Sequence, residues 1–262
     1  MRAPRPSERV FYAVAGALFC TSAAVTVAWC GSMSTMHRMA MPGGWTMTMA
    51  WMRMPGQSAA GAAAAFLAMW CVMMVAMMLP VIAPALLRHR RSFAPGDARR
   101  DRSTLTVALG YFGVWALVGG LVYPFGVALN AAAMQSPSFS RAIPALAAFT
   151  LALAGALQYT GWKRRLLECC RGAPEPCRSV TVTTRGAWRH GLRLGWQCVQ
   201  CCAGLTALLF VLGVMEPLAM ALVTALIAIE RLAPGGRRAA PMIGALLVVA
   251  GFWLVAKGAG GN

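Results

Sequence analysis

The residues in this 262-residue chain that are equipped for chemistry carry sulfur. There are eighteen methionines and nine cysteines. Cys198, Cys201 and Cys202 form a C-x-x-C-C run, and the spacing i, i+3, i+4 puts three thiols on one side of a helix. Met73, Met74, Met77 and Met78, with Trp70, repeat at the same helical spacing. Thioether and thiol sulfur are soft donors that suit Cu(I), whereas zinc takes thiolate, imidazole or carboxylate. Packing competes with this reading, because Met and Cys are also adaptable apolar fillers of helix interfaces.

A second concentration of sulfur lies in segment 31–58, with eight methionines in 28 residues: Met33, Met36, Met39, Met41, Met47, Met49, Met52 and Met54. It holds M-x-M pairs and the adjacent Met36-His37. Thioethers do not protonate near neutrality, so such a segment can capture a soft ion outside the cell. Ser34, Thr35, Thr46 and Thr48 interrupt any apolar face, which favours capture over an amphipathic segment lying on the membrane with Trp45 and Trp51 at the headgroups. A third group, Cys169, Cys170 and Cys177, sits in a basic segment. A reducing compartment there would leave them as thiols able to exchange a soft metal, or simply as reactive cysteines.

The elements that position these residues are membrane helices. The chain is 59% hydrophobic and only 12% charged, against roughly a quarter charged in soluble domains. Seven apolar runs, about 10–30, 59–87, 105–129, 142–160, 195–215, 217–233 and 239–257, approach the roughly 20 residues that a helix needs to cross the hydrocarbon. The expected fold is an all-α polytopic bundle of about seven spans. Of 24 Lys and Arg residues, 20 fall in the amino tail and in segments 88–104, 161–194 and 231–238. That face is expected to be cytoplasmic, with the amino terminus in and the carboxyl terminus out of a bacterial inner membrane. Segment 31–58 is then an external loop and 161–194 a cytoplasmic one. The first run lacks a small-x-small cleavage box and reads as an uncleaved helix.

Counting inward from Arg88 and Arg193 puts Met78 and Cys202 at one depth, about 14 Å from the cytoplasmic boundary. Met77, Met78, Cys201 and Cys202 would meet if spans two and five pack together. Among the acidic residues, Glu216 reads as a solvated turn carboxylate or an aid to ion entry. Glu230, beside Arg231, reads as an interfacial ion pair, and His89 and His190 as interfacial residues. A net charge of +17 set in short clusters between apolar runs argues for orientation in a membrane and against nucleic acid. No nucleotide loop or catalytic constellation stands out, so enzymatic activity is not expected. No span carries a well-buried His for haem.

Four motifs together resemble a bacterial family of predicted metal-binding integral membrane proteins whose function is unknown. They are the W-x-x-M-M-x-A-M-M-x-P run from Trp70 to Pro80, the Q-x-x-x-x-K stretch from Gln158 to Lys163 with Cys170-Arg171 beyond, the G-x-x-C-x-x-C-C run from Gly195 to Cys202, and G-x-M-x-x-x-x-M from Gly213 to Met220. The resemblance runs over about residues 60–257 and implies metal binding. It adds Met215 and Met220 to the candidate ligands. Family members often carry His at the position of Leu194 and Cys at that of Leu166, and both are absent here. The expected function is Cu(I) binding in transport, delivery or homeostasis, with a membrane cuproenzyme or metallochaperone as partner. Alternatives are a thiol redox component working through Cys198, Cys201 and Cys202, or a structural subunit with small-residue contacts such as Gly119-Gly120.

Overall fold

The computed structural model describes residues 6–34, 39–40, 45–47, 51, 56–94, 96–171, 183–233 and 235–259. Among them are eight helices and one minimal antiparallel pair: α1 Pro6–Ser34, β1 Met39–Ala40, β2 Thr46–Met47, α2 Ala59–Arg91, α3 Arg99–Gln135, α4 Pro137–Leu157, α5 Gly161–Arg171, α6 Thr184–Leu212, α7 Pro217–Leu232 and α8 Gly236–Ala259. Local chemistry sets several boundaries. Ser58, Ser136 and Thr183 cap α2, α4 and α6 by accepting from the backbone N–H of Gly61, Phe139 and Gly186. Pro137 and Pro217 open α4 and α7, where a missing N–H costs nothing. Gly213 ends α6 at φ 111°, a conformation open to glycine and strained for other residues.

Among the described residues, six helices, α1, α2, α3, α4, α6 and α8, are long and apolar enough to cross a membrane. The seventh expected run, 217–233, folds as α7, whose 16 residues extend about 24 Å, short of a roughly 30 Å hydrocarbon core. It is confined between the Gly213–Glu216 turn and the break at Ala233. The segment expected as a basic loop, 161–194, contains α5 and the first turns of α6. α5 is strongly amphipathic: Lys163 and Leu167, one turn apart, are buried, while Trp162, Arg164 and Arg165 face outward. Pro80 and Pro84 lie within α2, which continues through them to Arg91.

Helices α2, α3, α6 and α7 form a closed ring in which each packs on the next, with α1 lying on α2, and α4 with α8 packed outside α6 and α7. The α3–α6 contact is a glycine seam. A Cβ on Gly110 would sit 2.8 Å from the Trp188 carbonyl, and one on Gly195 would sit 2.9 Å from the Tyr111 carbonyl; Gly191 lies as tightly on Val107. Large apolar side chains cover much of the outside, including Leu117, Leu121 and Phe125 on α3 and Leu246, Val249 and Phe252 on α8. An apolar exterior of this extent is what lipid would cover.

Candidate metal centre

The inside of the four-helix ring is where the sulfur residues gather. Met73, Met74, Met77 and Met78 of α2, Cys198, Cys201 and Cys202 of α6, and Met220 of α7 are all buried in one continuous apolar cluster, and Met215 packs against it from the turn after α6. Three aromatic residues close the cluster, Trp70, Tyr111 and Trp115. The Trp70 indole lies flat on Gly119 and donates to the Trp115 carbonyl at 2.9 Å.

Two ring contacts tie α2 to α6 toward the two ends of the bundle. His89 stacks on His190 with centroids 5.7 Å apart, and Trp70 on Phe210 at 6.4 Å. These contacts make the helices antiparallel and fix their register. Met78 lies eleven residues before His89, and Cys201 eleven after His190. Met77 and Cys202 are twelve residues from the same histidines. The Met and Cys faces thus stand level, as the depth count from Arg88 and Arg193 expected, although α3 and α7 complete the ring between the two helices. The histidines do more than sit at an interface, since His89 Nε2 also lies 2.9 Å from Ser103 Oγ of α3.

The thiols are held by partners distant in sequence. Cys198 Sγ lies 3.8 Å from Cys202 Sγ, one turn on. It accepts from Tyr111 Oη of α3 at 2.9 Å and from Arg231 Nη1 of α7 at 2.8 Å. Beside it, Lys163 Nζ of α5 donates to the Cys201 carbonyl at 2.5 Å and pairs with Glu230 Oε2 at 2.8 Å, while Gln158 Nε2 donates to Glu230 Oε1 at 2.6 Å. Glu230 is 1% exposed and Lys163 5%. The expectation of an ordinary interfacial pair at Glu230 is corrected: the carboxylate is buried, and its partner comes from α5. The last turn of α7 and the start of α5 both reach the cysteines.

Tyr111, Arg231, Lys163 and Glu230 escaped the reading of the thiol cluster, though Q-x-x-x-x-K already marked Gln158 and Lys163. Among the described residues, no group of three or more His, Cys, Asp or Glu side chains is arranged to hold a metal by itself. Thioethers add to these donors, and Met69, Met73, Met74, Met77, Met78 and Met220 all share the buried cluster.

The remaining expected site residues are less fully described. Met39 and Met47 are opposite each other in the β1–β2 pair. Met36, His37, Met41, Met49, Met52, Met54 and Cys177 lie outside the described residues, as do the side chains of Cys169 and Cys170 in α5. Glu216 is partly buried at the start of α7.

A family profile described as a copper chaperone, PpoB2, matches residues 67–254. No curated protein and no solved structure matches the chain. The matched stretch starts just before the methionine stripe, ends within α8 and takes in the cysteine cluster, covering well over half of the 262 residues. The chain therefore belongs to the PpoB2 copper chaperone family.

Proposed function

We propose that this protein is a multi-pass copper chaperone of the bacterial inner membrane that binds copper as Cu(I) between the methionine face of α2 and the cysteine face of α6. The observation that carries this reading is the register of Met77 and Met78 with Cys201 and Cys202, fixed by the His89–His190 and Trp70–Phe210 contacts. The donor chemistry fits the ion: the cluster offers buried thioethers and thiols, and thioether sulfur favours Cu(I). With metal–sulfur bonds of about 2.3 Å, two sulfurs 3.8 Å apart can both reach one ion at an angle of about 110°. A linear pair would stand about 4.6 Å apart by the same bond length. The bent arrangement leaves room for further donors, a place for the thioethers of Met77 and Met78.

On this reading the external methionines, from Met36 to Met54, collect the ion, and Met215 and Met220 lie near the turn where it would enter. Cys169, Cys170 and Cys177 exchange it on the cytoplasmic side, and a membrane cuproenzyme or a second metallochaperone is the partner. The thiol redox alternative draws on the same Cys198–Cys202 pair. It predicts that oxidants change the count of free thiols with no metal present.

The test is Cu(I) competition on the full chain, purified in detergent under reducing, anaerobic conditions. Wild type is expected to bind tightly, Cys198/Cys201/Cys202→Ala to lose the site, and Met77/Met78→Leu to weaken it by about tenfold or more. Absence of high-affinity Cu(I) in wild type would overturn the proposal.

A further inference from the structure

Two donors from different helices approach Cys198 Sγ, and they differ in charge. The Tyr111 hydroxyl, on α3, is neutral, whereas the Arg231 guanidinium, on the last turn of α7, keeps its positive charge under all ordinary conditions. A second cation stands close by. Lys163 Nζ touches the Cys201 carbonyl and is paired with Glu230, a carboxylate that also accepts from Gln158. Glu230 offsets the charge of Lys163 beside Cys201, so the cation set directly on a sulfur is Arg231 at Cys198.

Thioethers favour Cu(I), but thiolates take Zn(II) as readily as softer ions, so the cysteines by themselves do not choose the charge of the ion. The choice requires something fixed beside the sulfur. We infer that Arg231 is a specificity-determining residue of the cysteine cluster: its guanidinium, seated on Cys198 Sγ, selects a monovalent soft ion over a divalent one. The inference rests on the copper reading proposed above and concerns the same site. Repulsion between a fixed positive charge and an incoming cation scales with the ion's charge, so at equal distance it doubles from Cu(I) to Zn(II). The burial of Cys198 strengthens that difference, because the local dielectric there is low. An ion that bonds Cys198 takes one lone pair of the sulfur, and the guanidinium, tethered to α7, stays near enough to be felt.

The experiment measures Cu(I) and Zn(II) affinities by chelator competition for the full-length protein in detergent, comparing wild type with Arg231→Gln, Arg231→Met and Arg231→Lys. The two neutral variants are expected to lower the preference for Cu(I) over Zn(II) by about tenfold or more, equivalent to about 1.4 kcal/mol. Arg231→Lys, which keeps the charge, is expected to retain most of the preference. Arg231→Met preserves the apolar stem, so a folding failure in the Gln variant leaves the question decidable. An unchanged ratio in a folded neutral variant that still binds Cu(I) would overturn the role of Arg231 while leaving the copper site standing. Lack of Cu(I) binding in wild type would instead remove the site on which the inference rests.

Discussion

Lys163 and Glu230 pose the sharpest problem at the scale of single residues, because each removes the other's charge from an apolar interior. Their 2.8 Å contact and near-complete burial mean that either alone would be an uncompensated ion. Breaking a buried pair from one side costs about 3–5 kcal/mol, whereas replacing both partners with apolar groups is often nearly neutral. Thermal unfolding in detergent should therefore show large losses for Lys163→Met and for Glu230→Leu. The double variant should recover most of that stability. A double variant as unstable as the two single losses combined would show that the pair is not the unit. Gln158 makes the prediction asymmetric, since its amide N–H would also lose its acceptor in Glu230→Leu.

At the scale of helices, the α3–α6 seam decides whether Tyr111 reaches Cys198. Gly110, Gly191 and Gly195 let the two backbones approach until a Cβ at any of them would collide with the other helix. Gly195→Ala should therefore cost about 1–3 kcal/mol by overpacking, even though alanine is the better helix former. Gly120, also on α3, provides the control. A Cβ there meets nothing within 4 Å, so Gly120→Ala should be neutral or slightly stabilising in the same melts. Equal effects at the two positions would mean that the seam does not hold the bundle. The intramolecular use of Gly119 beneath Trp70 also tells against reading the Gly119-Gly120 pair as a simple docking stripe for another subunit.

At the scale of the whole molecule, α7 controls the topology. Its C-terminal turn meets α5 and the cysteines at the basic end, and its N-terminal turn follows α6 directly. A helix of about 24 Å can cross if the bilayer thins locally or its flanking residues extend to the interface, at modest cost. We expect α7 to cross, which leaves the carboxyl terminus outside. A reporter active only outside the inner membrane should therefore give signal when fused after residue 215 or 259, and none after residue 235. Signal after residue 215 but not after 259 would reduce the bundle to six spans and place both termini inside. The arginines of α2, α3 and α6 support this orientation, because the His89–His190 and Arg90–Asp101 contacts bring their basic turns to one end.

The sequence alone determined what depends on local pattern. Apolar runs of spanning length mark helices, because a backbone in lipid would have to satisfy its own hydrogen bonds, and helical spacing then puts the methionines and the cysteines each on one face. Counting residues from the basic flanks was enough to bring Met78 level with Cys201 and Cys202, because helical rise is constant. Tertiary structure decided what surrounds the thiols. Tyr111 lies 87 positions from Cys198, Arg231 lies 33, and Lys163 stands 38 from Cys201. No periodicity links residues on different helices at such separations. Burial of Glu230 was illegible for the same reason: it follows from α5 folding back over the end of α7, a contact set by packing and not by hydropathy. The four-helix ring likewise came from the glycine seam, where the absence of a side chain matters only once the partner helix is in place.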